Sequence, residues 1–154
     1  MKARHPPASK LVRVGRSKIH GKGVFARKPI RKGTRIIEYT GKRIPWKLAQ
    51  ELPPHDPENP YHTFFFSLEN GTVIDAGKGG NESRWINHSC DPNCETGDYR
   101  GGIHIFALRN LKQGEELFYD YNLEPADRRT KKLEQLFRCD CGSLKCRGTM
   151  LEPR

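Results

Sequence analysis

The sequence predicts a single, mostly-β domain with several short strands and one helix near the C-terminus. A length of 154 residues allows one hydrophobic core but leaves little material for a second. Apolar residues make up 34% of the chain and charged residues 30%, so we expect a compact core and polar loops. Short segments rich in β-branched residues recur between glycine, proline and asparagine residues, which is typical of short strands joined by tight turns.

In the N-terminal half, turn-forming residues delimit the predicted elements. Pro45 suits the first turn of a short helix. Asn70-Gly71 lies between two apolar segments and predicts a hairpin. In chain order, we predict a flexible basic tail (1–9), strands at 11–14, 24–26 and 34–39, a helix at 46–52, a proline-rich loop at 53–60, and strands at 63–68 and 72–75.

The C-terminal half continues the pattern and then becomes helical. We predict a helical turn at 82–86, strands at 103–108 and 116–121, and a helix at 125–136. Leu133, Leu136 and Phe137 supply the apolar contacts of that helix. The helix leads directly into a group of cysteines.

The net charge of +10 is concentrated in the N-terminal region. Twelve lysine and arginine residues precede Glu38, the first acidic residue. Such a basic arm could contact nucleic acid or an acidic partner, or it could simply be a solvated surface. The sequence contains neither an apolar segment long enough to cross a membrane nor a secretory signal, so we expect an intracellular protein that is not secreted.

The cysteine pattern near the C-terminus predicts a metal site. Cys139, Cys141 and Cys146 have C-x-C-x4-C spacing, and the five cysteines of the chain cannot all pair as disulfides. Structural zinc prefers four ligands in a tetrahedron and is commonly held by sulfur. A fourth thiol must therefore come from elsewhere, and either Cys90 or Cys94 could supply it.

Two further segments concentrate polar chemistry. Residues 84–94, Arg-Trp-Ile-Asn-His-Ser-Cys-Asp-Pro-Asn-Cys, combine a cation, two amides, an imidazole and two thiols. In segment 116–121, Tyr119 and Tyr121 alternate with other residues and share one face of the predicted strand. Buried hydroxyl groups need hydrogen-bond partners, so this face indicates either a polar pocket or an ordinary core strand. Asp120, between the two tyrosines, could acidify a channel mouth or be a buried hydrogen-bond partner.

Five motifs, in this order, resemble those of the SET-domain protein lysine methyltransferases with a post-SET zinc loop. They are Gly21-x-Gly23, Tyr39-x-Gly41, segment 84–94, segment 116–121 and Cys139-x-Cys141-x4-Cys146. The resemblance implies a SET-domain fold of several small antiparallel sheets with short helices, in which a pseudoknot joins the Asn-His segment to the tyrosine segment. It also implies a SET domain at 10–124 with an insert region at 42–60, followed by a C-terminal helix and post-SET loop at 125–154.

Carried over by position, the resemblance also implies a role for each site residue. Tyr121 would position the transition state, Tyr39 would hold the lysine amine, and a tyrosine at Tyr119 would go with mono- or dimethylation. The residues that would bind S-adenosylmethionine are Lys22, Gly23, Phe64, Arg84, Asn87, His88 and Phe137. The zinc ligands would be Cys90, Cys139, Cys141 and Cys146.

Some positions depart from the family pattern. Phe64 stands where many relatives carry tyrosine, and Trp85 stands where phenylalanine is usual. No cysteine precedes Cys90, so the cysteine-rich pre-SET region has no counterpart here and we expect a compact enzyme.

The expected substrate is a lysine in a protein, a histone or another, and the expected location is the cytoplasm or chromatin. The basic arm would contact nucleic acid or an acidic partner beside that substrate, or nothing. Two alternatives remain open at this stage: a catalytically silent SET-like binding module, and a basic zinc-containing protein that binds nucleic acid.

Overall fold

The computed structural model describes residues 10–19, 21–52, 64–68, 70–123 and 129–152. The predicted tail 1–9 and loop 53–60 lie outside the described residues. The strands are β1 (Val12–Arg16), β2 (Lys22–Ala26), β3 (Arg35–Glu38), β4 (Lys42–Pro45), β5 (Phe65–Ser67), β6 (Thr72–Asp75), β7 (Asn87–His88), β8 (Cys94–Tyr99), β9 (Gly102–Ala107) and β10 (Phe118–Tyr119). The helices are α1 (Trp46–Glu51), a 3-10 helix at Glu82–Trp85, and α2 (Lys131–Leu136).

These strands form four small sheets. Two sheets have three strands each, in the orders β3-β9-β8 and β4-β6-β5, and β1 pairs with β2; all of these pairings are antiparallel. In the fourth sheet β7 and β10 are parallel. The predicted fold class of small, mostly antiparallel sheets is confirmed.

The hairpin predicted around Asn70-Gly71 is confirmed. Strands β5 and β6 pair with Phe66 opposite Ile74. Within the turn, the Asn70 Oδ1 atom accepts a hydrogen bond from the Thr72 amide at 3.1 Å, because a short amide side chain can bond to the backbone two residues on. Strand β6 carries three consecutive buried residues, so this sheet is covered on both faces at that point.

The prediction missed three strands, β4, β7 and β8. Strand β8 has the sequence Cys-Glu-Thr-Gly-Asp-Tyr and only Cys94 is fully buried, so it lacks the apolar alternation of a strand. The turn from β8 to β9 explains the pairing: Arg100 and Gly101 both have positive φ, of 48° and 80°. That conformation is the one that two-residue hairpins require.

Two predicted elements near the C-terminus were too long. The strand predicted at 116–121 is regular only over β10, because its partner β7 offers just two residues for pairing. The helix predicted at 125–136 begins at Lys131, because the Thr130 hydroxyl accepts the Leu133 amide at 3.1 Å and caps the helix there. Residues 129–130 are not helical, and 124–128 lie outside the described residues.

The main hydrophobic core joins strands from three of the four sheets and packs against segment 116–121. Val24, Ile86, Ile105 and Leu117 each have at most 1% of their surface exposed. Tyr119 belongs to the same cluster. Segment 116–121 is therefore anchored in the core at Leu117, which fixes the positions of the polar side chains that follow. Within the described part of the chain, no helix has the length and apolar character that a membrane span needs.

Candidate active site

The parallel pairing of β7 with β10 brings the two polar segments of the sequence together. His88 lies opposite Tyr119, and the Ser89 amide donates to the Tyr119 carbonyl at 3.2 Å. The Asn93 side chain reinforces this contact through both ends of its amide group. Its Nδ2 atom donates to the Glu116 carbonyl and its Oδ1 atom accepts from the Phe118 amide, each at 2.8 Å. Residues separated by about thirty positions in sequence thus form one rigid site.

Three tyrosines converge at this site. The Tyr39 hydroxyl donates to the carbonyl of Phe64 at 3.0 Å, and the Tyr121 hydroxyl donates to the carbonyl of Ile86. The rings of Tyr119 and Tyr121 lie 5.0 Å apart between centroids. Burial raises the pKa of all three hydroxyls well above the usual value of about 10. Tyr39 and Tyr121 raise the pKa of Tyr119 further, and Tyr39 raises that of Tyr121. The hydroxyls therefore stay protonated and polar inside an aromatic pocket.

Asn87 connects this pocket to strand β2. Its Nδ2 atom donates to the Lys22 carbonyl at 3.0 Å and to the Glu116 carboxylate at 3.2 Å. The same carboxylate accepts the Ser17 hydroxyl at 2.8–2.9 Å. Gly23 lies directly against it, since a Cβ atom there would be 2.5 Å from a Glu116 oxygen. Sequence reasoning assigned no role to Ser17, and it considered Glu116 only as one of several acidic residues that could make the channel mouth acidic.

Beside Asn87, cations and aromatic rings alternate. Lys22 Nζ lies 4.6 Å from the centre of the Trp85 ring, and the Arg84 guanidinium carbon lies 5.0 Å from it. Phe64 contacts Trp85 edge-on at 5.1 Å. Contacts of this kind between cations and aromatic faces are attractive. The structure thus brings together Lys22, Arg84 and Phe64, all of which were predicted to face one ligand.

The four predicted metal ligands also meet. The sulfur atoms of Cys90, Cys139, Cys141 and Cys146 all lie within 4.8 Å of one another. Cys94 is fully buried in the hydrophobic core and is not part of this group. The structure therefore favours Cys90 over Cys94 as the partner of the C-x-C-x4-C loop.

Comparison with known proteins identifies the fold family. Residues 21–122 match the family model of the SET domain. The chain belongs to the SET-domain family. The chain is 39% identical over 140 residues to the histone-lysine N-methyltransferase trithorax of Drosophila virilis, an alignment that covers 88% of this chain and 4% of that protein.

Two further relatives extend the comparison. Histone-lysine N-methyltransferase 2B of Homo sapiens is 37% identical over 153 residues, which is 96% of this chain and 6% of the relative. The histone-lysine N-methyltransferase, H3 lysine-4 specific, of Saccharomyces cerevisiae is 39% identical over 144 residues, which is 90% of this chain and 13% of the relative. The chain thus spans a small fraction of the length of these curated relatives.

The residues of this SET domain fit S-adenosylmethionine, the methyl donor that SET methyltransferases use. Arg84 Nε is buried and has no hydrogen-bond partner among the described residues. The Arg84 N–H group and the Lys22 ammonium suit the carboxylate at the amino-acid end of S-adenosylmethionine, while Phe64 and Trp85 offer aromatic surface to its adenine ring. Phe137 lies at the end of α2, and its carbonyl accepts the Met150 amide at 2.7 Å; its contact with the cofactor stays a prediction.

The group of four cysteines fits zinc. Tetrahedral zinc with bonds of about 2.3 Å places its sulfur ligands about 3.8 Å apart, and the Cys90 and Cys139 sulfurs are 3.8 Å apart. All four are free thiols. Burial opposes ionisation of Cys141, but hydrogen bonds from nearby backbone groups lower the pKa of its thiol to about 7, which favours a metal-binding thiolate.

His88 connects the cysteine group to the tyrosine segment through both ring nitrogens. Burial lowers the pKa of His88 to about 4, against the opposing charge of Asp120, so the ring is neutral and carries one proton. The Tyr121 amide donates to Nδ1 at 3.0 Å, which places that proton on Nε2. Nε2 lies 3.3 Å from the Cys90 sulfur and donates to it.

Arg147 is another site residue that sequence reasoning missed. Its guanidinium donates two hydrogen bonds to Asp120, at 2.7 and 3.0 Å. Burial raises the pKa of the Asp120 carboxyl, but hydrogen bonds and nearby positive charge, those of Arg147 foremost, together lower it by more, so the net shift is downward. Asp120 is therefore an internal hydrogen-bond partner. The signal in the sequence was an arginine directly after the last zinc-loop cysteine.

Proposed function

We propose that this SET domain transfers methyl groups from S-adenosylmethionine to the ε-amine of a lysine in a protein substrate. One observation carries the proposal: the buried tyrosines Tyr39, Tyr119 and Tyr121 meet in one pocket, and the Tyr121 hydroxyl donates to the carbonyl of Ile86, the residue before Asn87. The relatives named above, all histone-lysine methyltransferases by name, support the same reaction and make a histone lysine one candidate substrate.

The chemistry of lysine methylation explains why this pocket is suitable. The amine must lose its proton before it attacks, and its usual pKa is about 10.4. A buried aromatic site disfavours the ammonium form and lowers that pKa, so no strong base is required. What remains is positioning of the amine at near-attack distance from the methyl group that the bound donor supplies.

The tyrosine hydroxyls provide that positioning. We assign to Tyr39 the holding of the lysine amine and to Tyr121 the orientation of the amine in the transition state. Both hydroxyls are fixed by backbone carbonyls, those of Phe64 and Ile86, so they add little rotational freedom to the site. Lys22, Gly23, Arg84, Asn87 and His88 hold the donor, His88 through its backbone because its ring is engaged, and Phe64 and Phe137 pack against it.

We further propose that the product is mono- or dimethyl-lysine. Tyr119 is 6% exposed, and its hydroxyl lies within the tyrosine cluster. A hydroxyl there can hold a water molecule in the space that a larger methylated amine would need. The wild-type protein should therefore stop at lower methylation states, whereas Tyr119→Phe should proceed further, as mass spectrometry of the products would measure. Ready formation of trimethyl-lysine by the wild type would refute this assignment.

The decisive experiment is incubation with labelled S-adenosylmethionine and a panel of proteins that includes histones and the host's own extract. Label should appear on lysine. Tyr121→Phe should reduce turnover by about 100-fold or more, because it removes an oriented group at the reacting amine, while the cofactor dissociation constant stays within about twofold. Tyr99→Phe, on β8 and outside the cluster, is the matched control and should retain activity.

The same experiment separates the alternative functions. A silent SET-like module would bind S-adenosylmethionine but transfer no label to any protein. A basic zinc protein that binds nucleic acid would show salt-dependent DNA binding and no methyl transfer. Partner contacts of the basic arm and a location in the cytoplasm or at chromatin remain part of the proposal.

A further inference from the structure

Arg147 contacts both the cysteine group and the tyrosine segment. Its backbone amide donates to the Cys90 sulfur at 3.3 Å. Its guanidinium donates to both oxygens of Asp120, and Nη2 donates in addition to the carbonyl of Leu151 at 3.0 Å. A single residue therefore connects a predicted zinc ligand with the residue between Tyr119 and Tyr121.

The ion pair of Arg147 with Asp120 is stronger than an ordinary surface pair. The two side chains are 21% and 19% exposed, and the pair is bidentate. By comparison, Arg138 and Asp140 in the same loop form a single contact with both side chains 72% exposed. Exposed pairs of that kind contribute little, whereas bidentate pairs shielded from water fix geometry and contribute more.

A second connection runs in parallel through His88. The Tyr121 amide donates to His88 Nδ1, and Nε2 donates to the Cys90 sulfur. Cys90 therefore receives two N–H groups, one from His88 and one from Arg147. Hydrogen bonds of this kind partly neutralise a zinc-bound thiolate and orient it. The His88 connection ends at the backbone amide of Tyr121, and the Arg147 connection ends at the side chain of Asp120, the residue before it.

We infer that Arg147 is a positioning residue that, together with His88, couples metal occupancy of the cysteine group to the placement of Tyr121. The inference rests on the proposed function for its catalytic consequence, but the coupling itself is a property of the fold. Because such coupling is reciprocal, the ion pair that aligns Tyr121 also retains the metal. The bridge between Leu123 and Leu151 keeps the C-terminal segment in place without Arg147, so variants should fold.

A double-mutant cycle on the full chain tests the coupling without any substrate. Arg147→Met and Asp120→Asn should each accelerate zinc release to a chromogenic chelator by roughly tenfold, within the usual range of coupling between sites. The double variant should release zinc no faster than either single variant, because both changes break one ion pair. Arg138→Met is the matched control and should stay within about twofold of wild type.

Hydrogen–deuterium exchange then reports on Tyr121 directly. With zinc bound, the segment around Tyr121 should exchange faster in Arg147→Met than in wild type, and Arg147→Lys should restore part of the protection. In methyl-transfer assays, Arg147→Met should lower kcat by about tenfold and leave the cofactor dissociation constant nearly unchanged.

The outcomes separate the two proposals. Additive effects in the cycle, or equal effects of Arg147→Met and Arg138→Met, would overturn the coupling. Unchanged exchange around Tyr121 in Arg147→Met would do the same. A wild-type protein that couples zinc and Tyr121 in these assays but methylates nothing would overturn only the proposed function.

Discussion

Replacement of Gly23 by alanine should weaken both the fold and cofactor binding. A Cβ atom on Gly23 would lie 2.5 Å from the nearer carboxylate oxygen of Glu116 and 3.0 Å from Ser17 Cβ. To reach the 3.4 Å of an ordinary van der Waals contact, the Cβ atom and the Glu116 oxygen would have to move apart by 3.4 − 2.5 = 0.9 Å. The Glu116 side chain is flexible in principle, but Ser17 and Asn87 hold its carboxylate through hydrogen bonds of 2.8–3.2 Å.

The expected cost follows from those bonds. A hydrogen bond to a charged group contributes about 1.5–3 kcal/mol, and overpacking a tight site costs about 1–3 kcal/mol. We therefore expect Gly23→Ala to lower the free energy of unfolding by about 2–3 kcal/mol. For a domain of this size that corresponds to a fall of roughly 5–10 °C in Tm. Because Asn87 would be displaced with Glu116, the dissociation constant for S-adenosylmethionine should rise as well.

Denaturant unfolding and calorimetric titration with S-adenosylmethionine would measure both effects. Gly21→Ala is the matched control: outside its two chain neighbours, no heavy atom of the described residues lies within 4 Å of its added Cβ, so the positive φ of 45° is the main opposition to the change, at about 1 kcal/mol. In a Glu116→Ala background the cost of Gly23→Ala should shrink, because the clashing carboxylate is gone. If the cost is the same in both backgrounds, the contact with Glu116 does not explain the glycine.

Three further predictions concern ionisation and packing. Burial raises the pKa values of Tyr39 and Tyr121 above the usual 10, so both hydroxyls stay protonated as pH rises. In a pH–rate profile, kcat should therefore increase as the substrate lysine deprotonates and should not decline near pH 10. A decline in kcat near pH 10 while the protein is still folded would contradict this. Burial raises the pKa of the Cys94 thiol to about 12, so iodoacetamide should label Cys94 only after unfolding. Peptide mass spectrometry would detect the label, and labelling of Cys94 in the native protein would argue against its core position. In Gly80→Ala the new Cβ would lie 2.0 Å from the Ala76 carbonyl oxygen, and since backbone cannot move aside cheaply, unfolding should become easier by about 3 kcal/mol or more; a thermal melt close to wild type would show that the turn relaxes.

The sequence predicted those features that are formed by residues close together in the chain. The Asn70-Gly71 hairpin and the three-cysteine loop each occupy a few consecutive residues, so spacing alone revealed them. Alternation placed Tyr119 and Tyr121 on one strand-like segment. The order of motifs identified the family, and with it the fold, because those motifs occur together in few other contexts.

The missing parts depend on contacts between distant residues. Strand β7 has only two residues and exists because β10 pairs with it from thirty-one positions away, which no local pattern encodes. The choice between Cys90 and Cys94 is likewise decided by folding, which buries one thiol in the core and turns the other toward the loop. Arg147 looked like one cation among twenty-eight basic residues until the fold set it against Asp120.

The position of Trp85 suits it to report ligand binding through its intrinsic fluorescence. The centre of the indole ring lies 4.6 Å from the Lys22 ammonium and 5.0 Å from the Arg84 guanidinium carbon, in the region that we assign to the methyl donor. Indole emission depends on nearby charge and water, so a ligand that pairs with either cation will change it. The chain has one other tryptophan, Trp46, which is 40% exposed on α1. A Trp46→Phe variant would thus carry a single intrinsic fluorophore in the proposed cofactor pocket, and cofactor affinity could be followed without label or substrate.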